Sequence, residues 1–270
     1  MKALKVFLTV ISCIVLTMLI FVFSLIFTIK SFLVKEVSPK IIRELLRVEY
    51  VKTNELDKHK LEVLDRVFYD KNTGSTIEII LDNFVEYREN KSAYKVKEKD
   101  LKKVREFMVK HKQDLSDFSG EKLTDKSIED HFQVEVINDE VIDIFEKVYK
   151  DLNEEEKLVI DVYTKVTSNN TKTILLTVMA VLEGIIILLN LPITKAFGKI
   201  GVSVLISGIF LAIVYALLIV LRDKFVSSIK LNIDLNNIKF NMFLIWSIVE
   251  IVLGTSLIII KKNLFNKTLE

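Results

Sequence analysis

One cysteine, two prolines and seven glycines in 270 residues leave little from which to build a disulfide scaffold or a turn-rich β fold. The lone cysteine, Cys13, falls inside an apolar run, so no intramolecular disulfide exists and any part of the chain outside lipid must stand on its own core. Between residues 31 and 172 the only glycines are Gly74 and Gly120 and the only proline is Pro39, which predicts a mainly helical segment. No Gly-rich phosphate loop, HExxH or GxSxG motif is present. The chain is therefore read as non-enzymatic, with no catalytic residue, no cofactor-binding residue and no cofactor assigned. His59, His111 and His131 are widely separated without ligand spacing, and no metal site is expected.

What the chain has in abundance is segregated. Half of its residues are apolar and 27% are charged, too oily for a soluble protein and too charged for one lying wholly in lipid. Residues 31–172 carry 26 Lys/Arg and 31 Asp/Glu, net −5, while the remainder carries 12 and 5, net +7. A balanced, weakly acidic module offers no electrostatic footprint for nucleic acid, and that class of partner is set aside.

A bilayer core about 30 Å thick needs about 20 apolar residues in a helix. Four stretches qualify, at 6–29, 173–193, 200–221 and 242–260. The first is longer than the roughly 7–15 residues of a signal-peptide core, and no small-residue cleavage site follows it, so it is expected to be an uncleaved anchor. The fold class that follows is an all-α membrane protein: four transmembrane helices, a mainly α-helical soluble domain at 31–172 between the first and second, and a three-helix membrane bundle over 173–260. Its immediate partner is the lipid bilayer.

Lys and Arg in short loops mark the cytoplasmic side, and long translocated domains are largely exempt from the count. Lys2, Lys5, Lys195, Lys199, Lys261, Lys262 and Lys267 fall together when both termini are cytoplasmic, which places residues 31–172 and the connection at 222–241 outside a multi-pass plasma-membrane protein. Arg222, Lys224, Lys230 and Lys239, with Lys30, Lys35, Lys40, Arg43 and Arg47, argue for the opposite orientation, but the first set is the more densely basic.

Within the soluble segment Ile41, Leu45 and Val48, then Leu56, Leu61, Leu64 and Phe68, recur at helical spacing on either side of a break near 52–54. Ser75 with Glu78 and Asn153 with Glu156 have the spacing of capping boxes. Ile77, Ile80, Leu81 and Phe84 predict the buried stripe of one helix, and further helices are expected at 98–112 and 139–151. The helix beginning at Asn153 is expected to run toward the second span with only a kink. Phe132, Val134 and Val136, and again Ile229, Leu231, Ile233 and Leu235, alternate with polar residues as strands do, which predicts a small β element. A hairpin at 229–240 that meets the 132–136 piece in a small sheet, and a segment at 225–240 lying flat in the membrane interface, are equal alternatives for the 222–241 connection.

Glu183 and Glu250 stand near the centres of the second and fourth spans, and no Lys or Arg occurs inside any of the four apolar stretches. A charge at that depth costs about 2.5–3.5 kcal/mol or more, which makes each glutamate a functional-site candidate. Two readings follow: a proton or cation site shared by the two carboxyls and helped by Asn190, Ser247 and Thr255, or a helix-pairing site in which they are hydrogen-bonding glue. Small residues at Gly208, Ala212 and Ala216, with Ser203 and Ser207, and at Ala180 and Gly184, permit close helix approach, and a protein partner or a second copy is expected to dock through the spans.

One large outer domain after the first span, then three closely spaced spans, resembles the topology of the FtsX/MacB-type permease subunits of ABC systems. The resemblance covers order and sidedness only; the five-residue head and the short turn from Pro192 to Lys199 depart from it. The function expected is that of an outer helical domain that binds a partner or ligand and is coupled to a small membrane bundle. The alternative is a small transporter, channel or permease-like subunit using Glu183 and Glu250.

Overall fold

The computed structural model describes residues 2–38, 41, 62–63, 65–67, 70, 72–91, 93–221, 224 and 240–267. Among them the ordered structure is helical throughout, with no strand. The helices are α1 (Lys2–Phe32), continued by a π-helical turn at Leu33–Val37, then α2 (Thr73–Glu89), α3 (Glu98–Lys110), α4 (Lys112–Ser119), α5 (Asp125–His131), α6 (Val134–Asp151), α7 (Glu154–Thr167), α8 (Asn169–Leu189), α9 (Ile193–Val220) and α10 (Asn241–Lys267). Four of these, α1, α8, α9 and α10, are long and apolar enough to cross a membrane.

The chain divides into two compact units, one of residues 1–31, 169–230 and 239–270, the other of residues 32–168 and 231–238. In the first, the apolar-helix bundle, Leu16, Met179, Ile186, Ala196 and Ile200 form the packed centre, with Leu19, Phe23, Leu182 and Val204 against them. Phe21 meets Phe210 edge-on at 5.9 Å between ring centres, and Phe27 meets Trp246 at 5.0 Å. Elsewhere these helices turn apolar side chains outward along most of their length, the pattern of a bundle whose surroundings are as oily as its core.

The second unit is held by an aromatic centre. Tyr87, Tyr94 and Phe145 lie within 5.7–6.3 Å of one another, ring centre to ring centre, with Val96, Leu101 and Ile137 completing the core. The polar atoms of Tyr94 and Asn83 within this core are satisfied internally. The Tyr94 hydroxyl donates to Asn83 Oδ1 at 2.8 Å, and the Asn83 amide donates in turn to the carbonyl of Ile79. Burial holds the Tyr94 phenol well above its ordinary pKa. At the edge of the core the Tyr87 hydroxyl donates to Glu146, whose carboxyl the Lys91 ammonium keeps below the usual carboxylate range.

The helix boundaries show which local signals operate. Asn153 and Glu156 form the expected capping box, each side chain accepting from the other's backbone N–H at 2.9 Å. Thr124 and Ser127 form another at the start of α5. Ser75 and Glu78 do not: α2 begins two residues earlier, at Thr73, whose hydroxyl donates to the Val67 carbonyl while Asp70 accepts from the Asn72 N–H. The stripe also rotates, since Ile77 is buried, Ile80 is exposed, and Thr73, Thr76, Asn83, Val85 and Tyr87 take buried places. The strand expected at 132–136 is a helix start. Phe132 ends α5, Gln133 alone is extended, and α6 opens at Val134 because Val134, Ile137, Val141 and Phe145 keep a helical period far longer than the three-residue alternation. Gly120, at φ 75°, ends α4 in the left-handed conformation that glycine adopts without strain. The expected helix at 98–112 is interrupted at His111, and α7 ends at Thr167, with Ser168 extended at φ −60°, ψ 153°, before α8 opens. Of the helices expected from Ile41 to Phe68 the described residues are 41, 62–63 and 65–67, all helical, with Val63 and Val67 buried; the rest of that stretch and the alternating segment at 229–239 lie outside the described residues.

The aromatic core makes a measurable claim. Phe145→Ala should destabilise the second unit by about 3–5 kcal/mol, lowering amide-exchange protection in α2 and α6 by about two to four orders of magnitude. Hydrogen exchange on the detergent-solubilised full chain checks this; unchanged protection would show that the three-ring cluster does not hold the unit.

Candidate functional site

Many of the polar side chains of the apolar-helix bundle line the places where its helices meet. Along α1 the hydroxyls of Thr9, Ser12, Thr17, Ser24 and Thr28 are buried, and those of Thr9, Thr17 and Thr28 donate to backbone carbonyls one turn earlier. This internal bonding satisfies hydroxyls that would otherwise stand unpaired in an apolar medium.

Three hydrogen bonds then join α1 to each of the other apolar helices. Asn190 at the end of α8 donates from Nδ2 to Thr9 Oγ1 at 3.2 Å and to the Ile186 carbonyl at 2.8 Å. Ser203 of α9 donates to the Cys13 carbonyl at 3.1 Å. Ser24 donates to Oε1 of Glu250 on α10. Glu250 is only 5% exposed, and Ser207, at 0%, stands beside its carboxyl. The Ser207 hydroxyl and Glu250 Oε2 are both buried and unbonded.

The α9–α10 pair is the most extensive helix packing in the chain. A Cβ built on Gly254 would lie 2.6 Å from the Leu205 nitrogen and 2.7 Å from the Gly201 carbonyl oxygen. One built on Gly201 would lie 2.8 Å from the Gly254 oxygen, and one on Gly208 3.0 Å from the Glu250 Cβ. The two backbones therefore touch, and Ser247 seals the crossing by donating to the Gly208 carbonyl at 2.9 Å. Four of the seven glycines of the chain, Gly198, Gly201, Gly208 and Gly254, lie in these helices, a signal readable from sequence that points to the crossing more directly than Ala212 or Ala216.

Glu183, Glu250 and Asn190 are not gathered into one site. Asn190 is bonded to Thr9 and Glu250 to Ser24, fifteen residues apart on α1, or about 22 Å at 1.5 Å per residue. Glu183 lies seven residues before Asn190 on α8, about 10 Å back along that helix, which leaves the carboxyls about 12 Å apart in depth rather than level. Glu183 is partly exposed and, among the described residues, has neither a hydrogen-bond nor an ion-pair partner. Ser247 belongs to the α9–α10 crossing, and Thr255 lies on an exposed face of α10. The fastening residues Ser24, Thr9 and Ser207 carry no sequence signal beyond being hydroxyls at helical spacing on one face of a span.

In the second unit His111 is buried against Phe107, with Nε2 3.8 Å from Asp70 and Nδ1 3.6 Å from Asp114. A hydrogen bond from Lys110 is the main cause of an Asp70 pKa below the usual carboxylate range. His131 faces Glu140 at 3.6 Å on the surface. Among the described residues no group of three or more His, Cys, Asp or Glu is placed to hold a metal ion. The same unit carries an apolar groove of about 300 Å³ between α2, α3 and α6, lined by Ile80, Val96, Val104, Val141, Ile144 and Phe145 among others.

Three substitutions probe the bundle. In a double-mutant cycle of Ser24→Ala and Glu250→Ala, the pair should couple by about 0.6–1.7 kcal/mol in the unfolding of the bicelle-reconstituted chain, and strict additivity would mean that their bond contributes nothing. Gly254→Val should lower the unfolding midpoint further than either, because the α9 backbone has no side chain that can move aside. In comparisons with known proteins, no protein-family model, no curated protein and no solved structure matches this chain.

Proposed function

We propose that the chain is a non-enzymatic, multi-pass membrane protein with both termini cytoplasmic. In this reading its helical domain stands outside the plasma membrane, binds a partner or ligand, and is coupled to the bundle of four spans. The observation that carries the binding role is the groove between α2, α3 and α6. Its lining is apolar, it is about 300 Å³ in volume, and Ile80 and Ile144 at its mouth are 47% and 57% exposed. A concave apolar surface on a water-soluble unit is the usual form of a ligand or partner site. Coupling is supported by chain connectivity: only Ser168 separates α7 from α8.

Sidedness is tested by placing a cysteine at Lys122, an exposed position between α4 and α5, in a Cys13→Ser background. An impermeant maleimide should label it on intact cells; labelling only after lysis would refute the orientation. Binding is tested by photo-crosslinking from Val104 and Ile144, with Lys122 as the site away from the groove. Discrete adducts are expected from the first two positions alone, and equal yields at all three would remove the groove from consideration.

A second reading, a small transporter or channel component, is favoured by one observation. Glu250 Oε2 and the Ser207 hydroxyl are buried side by side without hydrogen-bond partners. Proton-coupled flux into vesicles that Glu250→Gln abolishes would establish it over the first.

A further inference from the structure

Glu183 is a polar group in the bundle that the fastening of α1 leaves unused. It lies in the span with the smallest buried share of the four, on α8, whose packed face is marked by Met179 and Ile186. At 100° per residue, Glu183 sits about 40° from that face, with Ala180 and Gly184 farther round on the same flank and Leu176, also on that flank, 51% exposed. A Cβ placed on Gly184 would meet nothing within 4 Å, so the flank is open where Gly201, Gly208 and Gly254 are closed.

A carboxyl about 9 Å inside the end of a span, with no hydrogen-bond or ion-pair partner among the described residues, is what bilayer energetics disfavour. Snorkelling does not relieve it, since Glu183 lies six residues inside the end of α8, about 9 Å, and its side chain is short. Something must supply hydrogen-bond donors at that depth. A second copy of the chain is poorly suited, because its apolar stretches hold no Lys or Arg and would bring another carboxylate to the same depth.

We propose that this flank of α8 receives a transmembrane helix of a different membrane protein, one that carries a lysine or arginine at mid-bilayer depth. The small residues Ala180 and Gly184 let that helix approach closely, and its cation meets the Glu183 carboxylate as a charge-assisted pair shielded from water. The inference rests on α8 being a membrane span and is independent of what the outer groove binds.

The test uses the full chain, Cys13→Ser with a fluorophore at Lys122→Cys, in lipid nanodiscs. Two synthetic probes are added, a 23-residue Leu/Ala helix with a single central lysine and the same helix with leucine there. Energy transfer to the labelled lysine probe should show binding about tenfold or more tighter than to the leucine probe, and Glu183→Gln should erase the difference while leaving the thermal midpoint unchanged. Equal binding of the two probes overturns the proposal. So does spontaneous disulfide dimerisation of a Cys13→Ser, Gly184→Cys chain in native membranes, which would make the occupant a second copy. Release of the chain from membranes by alkaline carbonate would instead sink the span assignment, an outcome distinguishable from equal binding by an embedded chain.

Discussion

With the four apolar helices read as membrane spans, the closure of the bundle depends on hydrogen bonds made in the absence of any hydrophobic drive. Lipid tails are as apolar as the residues of α1, so expulsion from water gives that helix no reason to prefer α8, α9 and α10 over its surroundings. More than a hundred residues of helical unit separate it from α8 along the chain. Thr9, the Cys13 carbonyl and Ser24 each meet one of the other three apolar helices, and the three bonds together fix the register of α1 at both ends and near the middle. Each bond is modest by itself, but leaving its atoms unpaired away from water would cost more than forming it returns.

The bundle therefore uses its two carboxyls differently. Glu250 is enclosed by serines from α1 and α9 and takes part in closure. Glu183, about two turns away in depth, is left facing outward on a flank built of small residues. The helical unit obeys different rules, in which burial of Tyr87, Tyr94 and Phe145 carries the packing and Asn83 satisfies the polar atoms drawn into the core with them. Each unit is thus stabilised by the interaction that its expected solvent makes effective.

Much of this was legible in the residues. Length and hydropathy locate the four apolar helices to within a few residues at most ends, because a helix of that composition has no competing structure. The Asn153–Glu156 cap was legible because its spacing and chemistry are local. Ser75–Glu78 misled for the same reason: the pair has the right spacing, but Thr73 and Asp70 engage the backbone first. At 132–136 a short alternation lost to the longer helical period of α6. The relative depth of Glu183 and Glu250 was illegible, since depth is set by which hydroxyl of α1 each helix meets, and that is a tertiary choice among several chemically equivalent residues.

The glycine crossing of α9 and α10 has a mechanical corollary. Where main chain touches main chain at Gly201 and Gly254, the spacing of the pair is set by atoms that have no alternative rotamers, and the two helices behave as one stiff plank. The attachments of α1 and α8 to their neighbours run instead through side chains that can swing. Any rearrangement within the bundle is thus confined to those softer seams, with the plank as the fixed frame against which it is measured.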